Sequence, residues 1–416
     1  MNKDGLDQQK AKHRPKGRHS GQLKVLVVTG RFPYPPIKGD QSVVFYRSRE
    51  MGSKCELFLL TYARRSDVKT IPRIETHYRH IWTVKRNLVA NLLENALELV
   101  FGKTPFQVLL FKSGRMKRTL KKIIEAEHFD VINFVTIRMA WAGRTLKIPR
   151  VVDFIDSMSI NLERRAAKEK NMILRWLIRK EGGRLALWES ALLRDYEASI
   201  FVSSTEASLH SGCMIVDLPL GVDKLYFQPA KIEQMNPVIV FSGNMGYFPN
   251  INAAQWFAEE CLPLVLRQVP KAQFRIVGTN PGKTIKGLHD GSRIVVTGHV
   301  ESIAAELQNA MISVAPMQSG SGMQFKILEA MACGLPVVTT RLGLGSIKAL
   351  PDESIVVADD PERFADAVIS LLLDSDKRRG IGASAREFVI EKHSWTSHAE
   401  KLLAVYSKLA NKGTEH

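Results

Sequence analysis

The chain has 416 residues, of which 45% are hydrophobic and 24% charged, and it carries a formal net charge of +17. This composition excludes a disordered or fibrous chain, and the length suits two globular domains. No apolar run approaches the roughly 18–20 residues of a membrane-spanning helix. The positive charge favours an anionic partner, which could be nucleic acid, an anionic lipid or a phosphorylated small molecule.

The N-terminal segment, residues 1–21, is polar and basic, so we predict a basic disordered arm rather than a secretory signal. The four cysteines are scattered along the chain without the pair spacing of a zinc or redox motif. They are Cys55, Cys213, Cys261 and Cys333. We expect reduced thiols, mostly in the core of a cytoplasmic protein.

The first half predicts a parallel, doubly wound sheet. From Leu23 the run "LKVLVVTGRFPYPP" is typical of a buried strand followed by a Gly/Pro-rich loop. Further strands are predicted at "CELFLLTYA", "FDVINFVT", "PRVVDFID", "ASIFVSS" and "CMIVDLPLGVD". Helical segments lie between most of them, and this alternation indicates an α/β domain.

The second half repeats this organisation after a linker near Pro229 to Pro237. It begins with the strand "NPVIVFSG" and a helix for which Asn250 is the expected N-cap, and five short apolar runs follow. These runs are "AQFRIVG", "SRIVVTG", "MISVAP", "LPVVTT" and "ESIVVA". We predict an N-terminal domain over 22–228, a C-terminal domain over 229–394, and a last helix, about 395–416, that packs back on the first domain.

The loop and helix "SGSGMQFKILEAMACGLPVV" form the strongest candidate for a ligand site. The glycines allow close backbone approach, and a helix beginning near Met323 would direct free N–H groups at an anion. Lys326 and Glu329 share one helical face, where Lys326 would neutralise phosphate and Glu329 would accept hydrogen bonds from ribose hydroxyls. A solvated ion pair is the alternative, but the small apolar neighbours favour a nucleotide site.

Ligands of such sheets bind at the carboxyl ends of the strands, and two facing domains make a cleft. We therefore predict that a nucleotide is bound by loop residues of the second half, with the base near "GHVES". The set is Gly243, Asn244, Gly278, His299, Val300, Ser321, Gly322, Met323, Gln324, Lys326 and Glu329.

On the first half we predict acceptor-side residues at the strand ends, namely Arg31, Gly39, Asp40 and Arg138. Asp156, at the end of "DFID", is a further candidate for contact with an acceptor or a metal. The alternative is an ordinary surface loop for the prolines and a helix cap for the aspartates, and the cap is favoured for Asp153.

The segment from Arg64 to Lys122 is strongly basic, with fourteen Lys and Arg residues against four Asp and Glu. It also contains "NLVANLLENALELVFG", which has the pattern of an amphipathic helix. A membrane surface and an ordinary solvated face with a buried side explain this pattern equally well. No helix-turn-helix, zinc-finger or RRM-type signature occurs, so nucleic acid is not predicted.

Four stretches together resemble the retaining glycosyltransferases of family 4 (group 1), in particular the branch of exopolysaccharide and other surface-polysaccharide pathways. They are "PRVVDFIDSMSIN", "LPLGVDKLYFQP", "FSGNMGYFPNINAAQWFAEECLPLV" and "SGSGMQFKILEAMACGLPVVTT". The resemblance implies the α/β GT-B fold, two tandem Rossmann-like domains with doubly wound parallel sheets that face a cleft. It also implies a UDP- or GDP-linked sugar donor in the C-terminal domain and an acceptor in the N-terminal domain.

The same resemblance assigns roles to residues and shows departures. Glu329 matches the second Glu of the family's E-x7-E motif, which contacts the donor ribose, whereas Ser321 replaces the first Glu. Asn244 lies near the position of a usual Arg, whose charge Lys326 would supply, and Asn133 or Thr136 lies near the position of a usual His.

In the mechanism usually proposed for these enzymes the donor phosphate helps to deprotonate the acceptor, so no protein nucleophile is needed. We expect Lys326, Glu329 and Asp156 to act in catalysis. No DxD motif stands at a suitable place, so neither a metal nor another cofactor is expected.

The predicted activity is retaining, hexosyltransferase-like transfer to a lipid-linked or cell-surface glycan in polysaccharide biosynthesis. The predicted location is cytoplasmic and peripheral, at an anionic inner membrane face. Two alternatives stay open: a GT-B nucleotide-sugar epimerase, and a non-catalytic protein that binds sugar nucleotides.

Overall fold

The structure is a computed structural model that describes residues 22–37, 39–230, 236–319 and 323–413. The arm predicted over residues 1–21 lies outside the described residues. The chain divides into two compact units. Residues up to Leu218, together with those from Thr396 onward, form the first unit, and Pro219–Trp395 forms the second.

The first unit contains a seven-stranded sheet in the order β3-β2-β1-β4-β5-β6-β7, in which every neighbouring pair is parallel. The strands are β1 (Lys24–Thr29), β2 (Glu56–Ala63), β3 (His80–Lys85), β4 (Val131–Val135), β5 (Arg150–Ile155), β6 (Ala198–Phe201) and β7 (Met214–Asp217). Strands β1, β2, β4, β5 and β6 are buried almost throughout, so they read as continuous apolar runs.

The second unit contains a six-stranded parallel sheet in the order β10-β9-β8-β11-β12-β13. Its strands are β8 (Val238–Ser242), β9 (Gln273–Val277), β10 (Ile294–Gly298), β11 (Ile312–Ala315), β12 (Val337–Thr339) and β13 (Val356–Val357). Phe241, Phe257, Phe274 and Phe364 belong to its buried core. Two parallel sheets with helices confirm the predicted two-domain α/β fold.

The helices, in chain order, connect these strands. They are α1 (Gly39–Met51), α2 (Arg65–Val68), α3 (Leu88–Glu94), α4 (Ala96–Phe101), α5 (Phe106–Leu109), α6 (Gly114–Ala126), α7 (Met158–Lys168), α8 (Met172–Asp195), α9 (Ser204–Ala207), α10 (Phe248–Trp256), α11 (Leu262–Gln268), α12 (Lys283–Gly287), α13 (Ile303–Gln308), α14 (Phe325–Ala332), α15 (Arg341–Leu344), α16 (Pro361–Leu373), α17 (Ser375–Lys392) and α18 (Trp395–Gly413). Short 3-10 turns occur at Ile71–Arg73, Glu75–His77 and Ala140–Ala142, and a π-helical turn occurs at Phe257–Cys261. Within the described ranges, none of these helices is long and apolar enough to cross a membrane.

A buried polar network joins α18 to the first unit. Arg47 of α1 forms an ion pair with Asp153 of β5, and its Nε donates a hydrogen bond to Nε2 of His398 in α18 (2.9 Å). Because both charged groups are buried, removing either partner would leave an uncompensated charge in the core. The helix-cap interpretation of Asp153 is therefore wrong, and Ser157 is the N-cap residue of α7.

One helix start differs from the sequence prediction, and that of α14 agrees with it. Asn250 is not an N-cap, because α10 already begins at Phe248 and the Asn250 Nδ2 group donates to the backbone oxygen of Asn244 (3.0 Å). Helix α14 begins at Phe325, two residues after Met323. All four cysteine thiols are free and three are buried, which confirms the expected core thiols.

The predicted amphipathic helix "NLVANLLENALELVFG" consists of two short helices, α3 and α4, divided at Asn95. The Asn95 side chain is buried and donates to the backbone oxygens of Asn91 (2.6 Å) and Lys112 (3.1 Å). A single continuous helix would not leave Asn95 in this non-helical backbone conformation, so the polar contact fixes the break.

Candidate functional site

In the second unit, backbone hydrogen bonds tie together the loops that follow β8, β9 and β10. The Gly243 N–H group donates to the Val277 oxygen (2.9 Å), and the Gly278 N–H group donates to the Gly298 oxygen (3.0 Å). Since the strands are parallel, these loops lie at one edge of the sheet, where ligands of α/β sheets bind.

Two of these positions accept only glycine. Gly278 has φ 142°, and a Cβ atom there would lie 1.7 Å from the Gly243 backbone oxygen. Gly243 has φ 156°, and a Cβ atom there would lie 2.8 Å from Nδ2 of Asn250 and 3.4 Å from Cε of Lys326. Gly243 thus lets the backbone approach the Lys326 side chain, and Gly278 lets the next loop pack on Gly243.

Lys326 lies in the first turn of α14, and Glu329 lies one turn further along. Both side chains are half-buried, and Lys326 Nζ lies 5.7 Å from the centre of the Phe241 ring and donates to Oε1 of Gln324 (2.9 Å). Burial lowers the pKa of Lys326 to about 8, against the opposing charge of Glu329. Burial also raises the pKa of Glu329 to about 7, against the opposing charge of Lys326.

Each pKa moves toward the neutral form despite the nearby opposite charge, because burial outweighs the attraction between the two side chains. An anion next to Lys326 and hydrogen-bond donors next to Glu329 would each stabilise the charged form. Buried ionisable groups with shifted pKa values are typical of functional sites, so the pair stays a candidate ligand site.

Asparagine side chains complete the loop after β8. Oδ1 of Asn244 accepts from the Gly246 N–H group (3.0 Å) and from Nδ2 of Asn280 (3.3 Å). Among the described residues, the buried Oδ1 atom of Asn250 has no hydrogen-bond partner. Asn250 was not among the predicted site residues, and its apparent fit to an N-cap pattern concealed it.

The other predicted donor-side residues that the structure describes lie at the same edge of the sheet. Met323 is buried next to Gln324 and α14, whereas His299, which is exposed, and Val300 follow β10. Ser321 and Gly322 lie outside the described residues.

In the first unit, the predicted acceptor-side residues divide between ion pairing and helix initiation. Arg31 Nη1 donates to both carboxylate oxygens of Asp40 (2.8 Å each), and Gly39 is the first residue of α1. Arg138 Nη2 donates to Oε1 of Gln107 (2.8 Å). The structure therefore brings Arg31 and Asp40 into direct contact.

Asp156 follows the end of β5 and has an unusual environment. Burial, followed by the charges of Glu206 and Asp153, raises the pKa of Asp156 to about 7. The preceding residue, Ile155, has φ 63°, which is a genuine outlier for a β-branched side chain. Strain of this kind concentrates at functional positions, so the backbone marks Asp156 as a candidate.

Arg86 is a residue that the sequence analysis missed. It directly follows β3, which was not predicted, and its guanidinium carbon lies 3.9 Å from the centre of the Phe111 ring. The signal was the alternating apolar run "HIWTVK", which is typical of a strand. No group of three or more His, Cys, Asp or Glu residues that could hold a metal ion occurs within the described ranges.

Comparison with known proteins finds similarity to glycosyl transferases over part of the chain. Residues 236–374 match the family model described as Glycosyl transferases group 1. The chain is 24% identical, over 48% of its length and 53% of the relative's, to an uncharacterized 44.6 kDa protein in the cps region of Klebsiella pneumoniae. It is 32% identical, over 34% of its length and 40% of the relative's, to a GDP-mannose-dependent alpha-(1-6)-phosphatidylinositol monomannoside mannosyltransferase of Mycobacterium tuberculosis.

Among solved structures, the fold is similar to that of HepE from Anabaena in complex with UDP. The TM-score is 0.65 at 12% identity, and the match covers 93% of this chain and all of that one. At this identity the likeness shows the fold alone.

Residues 236–374 therefore match the group 1 glycosyl transferases, and the two α/β units have the GT-B fold. The predicted fold is thus confirmed, and the match over residues 236–374 supports the predicted family, whereas the retaining mechanism and the surface-polysaccharide branch stay predictions. The chain spans about half or less of the length of the curated relatives it matches.

The close approach of Gly278 to Gly243 leads to a test with an internal control. We expect Gly278→Ala to lower the free energy of unfolding of the second unit by about 1–3 kcal/mol, because the new Cβ forces the backbone to move. Gly287→Ala adds a methyl group with nothing within 4 Å at a helical position of α12, where alanine is favoured over glycine, so it should not lower this free energy. Urea unfolding measures both, and equal effects would contradict the described loop packing.

Proposed function

We propose that the protein is a retaining glycosyltransferase that moves a sugar from a nucleotide-sugar donor to a lipid-linked or cell-surface glycan. The observation that carries this proposal is the half-buried Lys326 and Glu329 pair at the start of α14, against the glycine turns of Gly243 and Gly278. The relatives support it, since one is a GDP-mannose-dependent mannosyltransferase and the structurally similar HepE was solved in complex with UDP.

Lys326 is suited to stabilise a diphosphate leaving group. As the bond between the sugar and the diphosphate breaks, negative charge grows on the phosphate oxygens. The Lys326 ammonium group and the free N–H groups at the start of α14 would both donate to those oxygens. Because Lys326 has a pKa of about 8 in the ligand-free protein, a bound diphosphate would also raise the protonated fraction of this side chain.

Glu329 is suited to the ribose of the donor. Its carboxylate would accept hydrogen bonds from the two ribose hydroxyl groups, and this favours the ionised form. The pKa of about 7 in the free protein would then fall when the donor binds. Donor affinity should weaken below pH 7 as Glu329 gains a proton, and above pH 8 as Lys326 loses one.

We further propose transfer with retention, in which an oxygen of the donor phosphate accepts the proton of the acceptor hydroxyl group. Asp156, whose pKa is about 7, would hold a hydrogen bond to the acceptor on the first unit. The positive charge of Lys326 and of the α14 N-terminus would supply the electrostatic stabilisation, so we propose that transfer needs no metal ion.

We also propose that the first unit binds an anionic membrane surface, because α3 and α4 expose apolar side chains to solvent. Asn91 of α3 and Asn95, between α3 and α4, are buried, whereas six apolar side chains of the two helices are exposed. The exposed set is Leu88, Val89, Leu93, Leu97, Val100 and Phe101. An apolar face of this kind, in a basic part of the chain, has the composition of an interfacial helix.

The donor site can be tested by removing its two ionisable groups. We expect Lys326→Ala to weaken binding of the accepted nucleotide sugar about 10- to 100-fold, because a charged hydrogen bond is worth about 1.5–3 kcal/mol. Glu329→Ala should have an effect of similar size, and isothermal calorimetry with UDP- and GDP-sugars measures both.

Lys271→Ala is the matched control, because Lys271 is exposed and directly precedes Ala272 and β9 at the opposite edge of the same sheet. Unchanged affinity in both site variants would remove the site assignment. Conversion of the donor to an epimer without any acceptor would contradict the transfer reaction.

The membrane proposal predicts that the double variant Leu93→Glu, Leu97→Glu no longer floats with anionic liposomes. Both leucines are more than two-thirds exposed, at 72% and 79%, so the substitutions change the surface and not the core. Leu373→Glu, which alters an exposed leucine of the second unit, should float like the unsubstituted protein. Equal flotation of all three proteins would contradict a role for α3 and α4.

A further inference from the structure

The carboxyl edge of the first sheet carries an arginine after each of four neighbouring strands. In sheet order, β3, β2, β1 and β4 are followed by Arg86, Arg64, Arg31 and Arg138. Each arginine lies within three residues of its strand end. Because the strands are parallel and adjacent, the four residues lie along one edge of the unit, where α/β sheets bind their ligands.

Two of these arginines share one aromatic ring. The guanidinium carbon of Arg86 lies 3.9 Å from the centre of the Phe111 ring, and that of Arg138 lies 5.8 Å from it. Gly30, at the end of β1, leaves room for the ring, since a Cβ atom there would lie 2.8 Å from it. Phe111 thus provides a fixed platform for two cations.

Within the described part of the chain, one buried donor of this arginine group has no acceptor. Asp40 binds Arg31 through both oxygens, and Arg138 donates to the neutral amide of Gln107. The Nε group of Arg86 is buried and has no hydrogen-bond partner among the described residues. A buried, charged donor without an acceptor is costly and points to a missing anion.

The positive charges of these arginines also repel one another, and this lowers their pKa values. Burial, followed by the charge of Arg31, lowers the pKa of Arg138 to about 10, although Asp40 opposes this shift. Burial, again followed by Arg31, also lowers the pKa of Arg86, and Arg64 adds to this effect. A guanidinium group stays protonated at neutral pH, so this repulsion persists until an anion relieves it.

We propose that Arg31, Arg86 and Arg138 bind a phosphate or diphosphate ester group of the acceptor. This inference rests on the proposed function, because it names the chemical class of the molecule that receives the sugar. The planar guanidinium fork matches two phosphate oxygens at once, which a lysine ammonium group does not. Sequence analysis pointed to two of the three residues and missed Arg86.

The surroundings of Arg86 favour an ester with a hydrocarbon chain. The next residue, Asn87, is the N-cap of α3, and the exposed apolar face of α3 and α4 begins at Leu88. A phosphate held by Arg86 would therefore lie at the start of an apolar surface. An amphiphilic acceptor with a phosphate head group and a hydrocarbon chain meets both features.

The experiment measures binding of three probes by isothermal calorimetry: geranyl diphosphate, inorganic pyrophosphate and geraniol. The full-length Lys326→Ala protein is used, so that diphosphate binding at the donor site is weakened. On this background we expect Arg86→Met and Arg138→Met each to weaken binding of geranyl diphosphate tenfold or more, since each removes charged hydrogen bonds. Arg79→Met is the control, because Arg79 precedes β3 at its opposite end.

Tighter binding of geranyl diphosphate than of pyrophosphate would support a lipid-linked acceptor, and equal affinities would support a free phosphorylated one. The proposal is overturned if both variants bind like the Arg79→Met control, or if geraniol binds as well as its diphosphate. Binding of the diphosphate through Arg86, together with no nucleotide-sugar binding by the unsubstituted protein, would contradict the proposed function alone. The reverse pattern would contradict only the phosphate site.

Discussion

The burial of one lysine and one glutamate at the start of α14 is the constraint on which the second unit depends. Desolvation moves the pKa of Lys326 down to about 8 and that of Glu329 up to about 7. A protein that needed only stability would gain more from apolar side chains at these positions. The pair is explained if a ligand completes it, with an anion at Lys326 and hydroxyl groups at Glu329.

The rest of the second unit serves this arrangement. The parallel sheet brings the ends of β8, β9 and β11 to one edge, and the glycines at 243 and 278 allow the loops to meet. The first unit uses the same geometry for a different chemistry, since its strand ends carry arginines on β3, β2, β1 and β4 and the acidic residue Asp156 after β5. In both units the fold places the carboxyl ends of the parallel strands at one edge of the sheet. The residues of the short loops at that edge determine its chemical character.

The sequence predicted the buried strands well, because central strands of parallel sheets are continuous apolar runs and need no partner information. It missed β3, an edge strand that is mostly half-buried and alternates in polarity. That error concealed Arg86, whose importance arises from its distance to Phe111 and not from any local motif. Likewise, the sequence pattern around Asn250 predicted an N-cap, whereas the Asn250 side chain donates a hydrogen bond to the backbone oxygen of Asn244.

The family resemblance identified Glu329, but the half-buried state of the pair and its shifted pKa values could be read only from the packed structure. The most direct measurement is the number of protons taken up when UDP or GDP binds at pH 8, obtained by calorimetry in buffers of different ionisation enthalpy. A lysine with a pKa of about 8 that becomes fully charged should take up about half a proton, and Lys326→Ala should abolish this uptake. Nucleotide binding without proton uptake, or uptake unchanged in Lys326→Ala, would contradict the account.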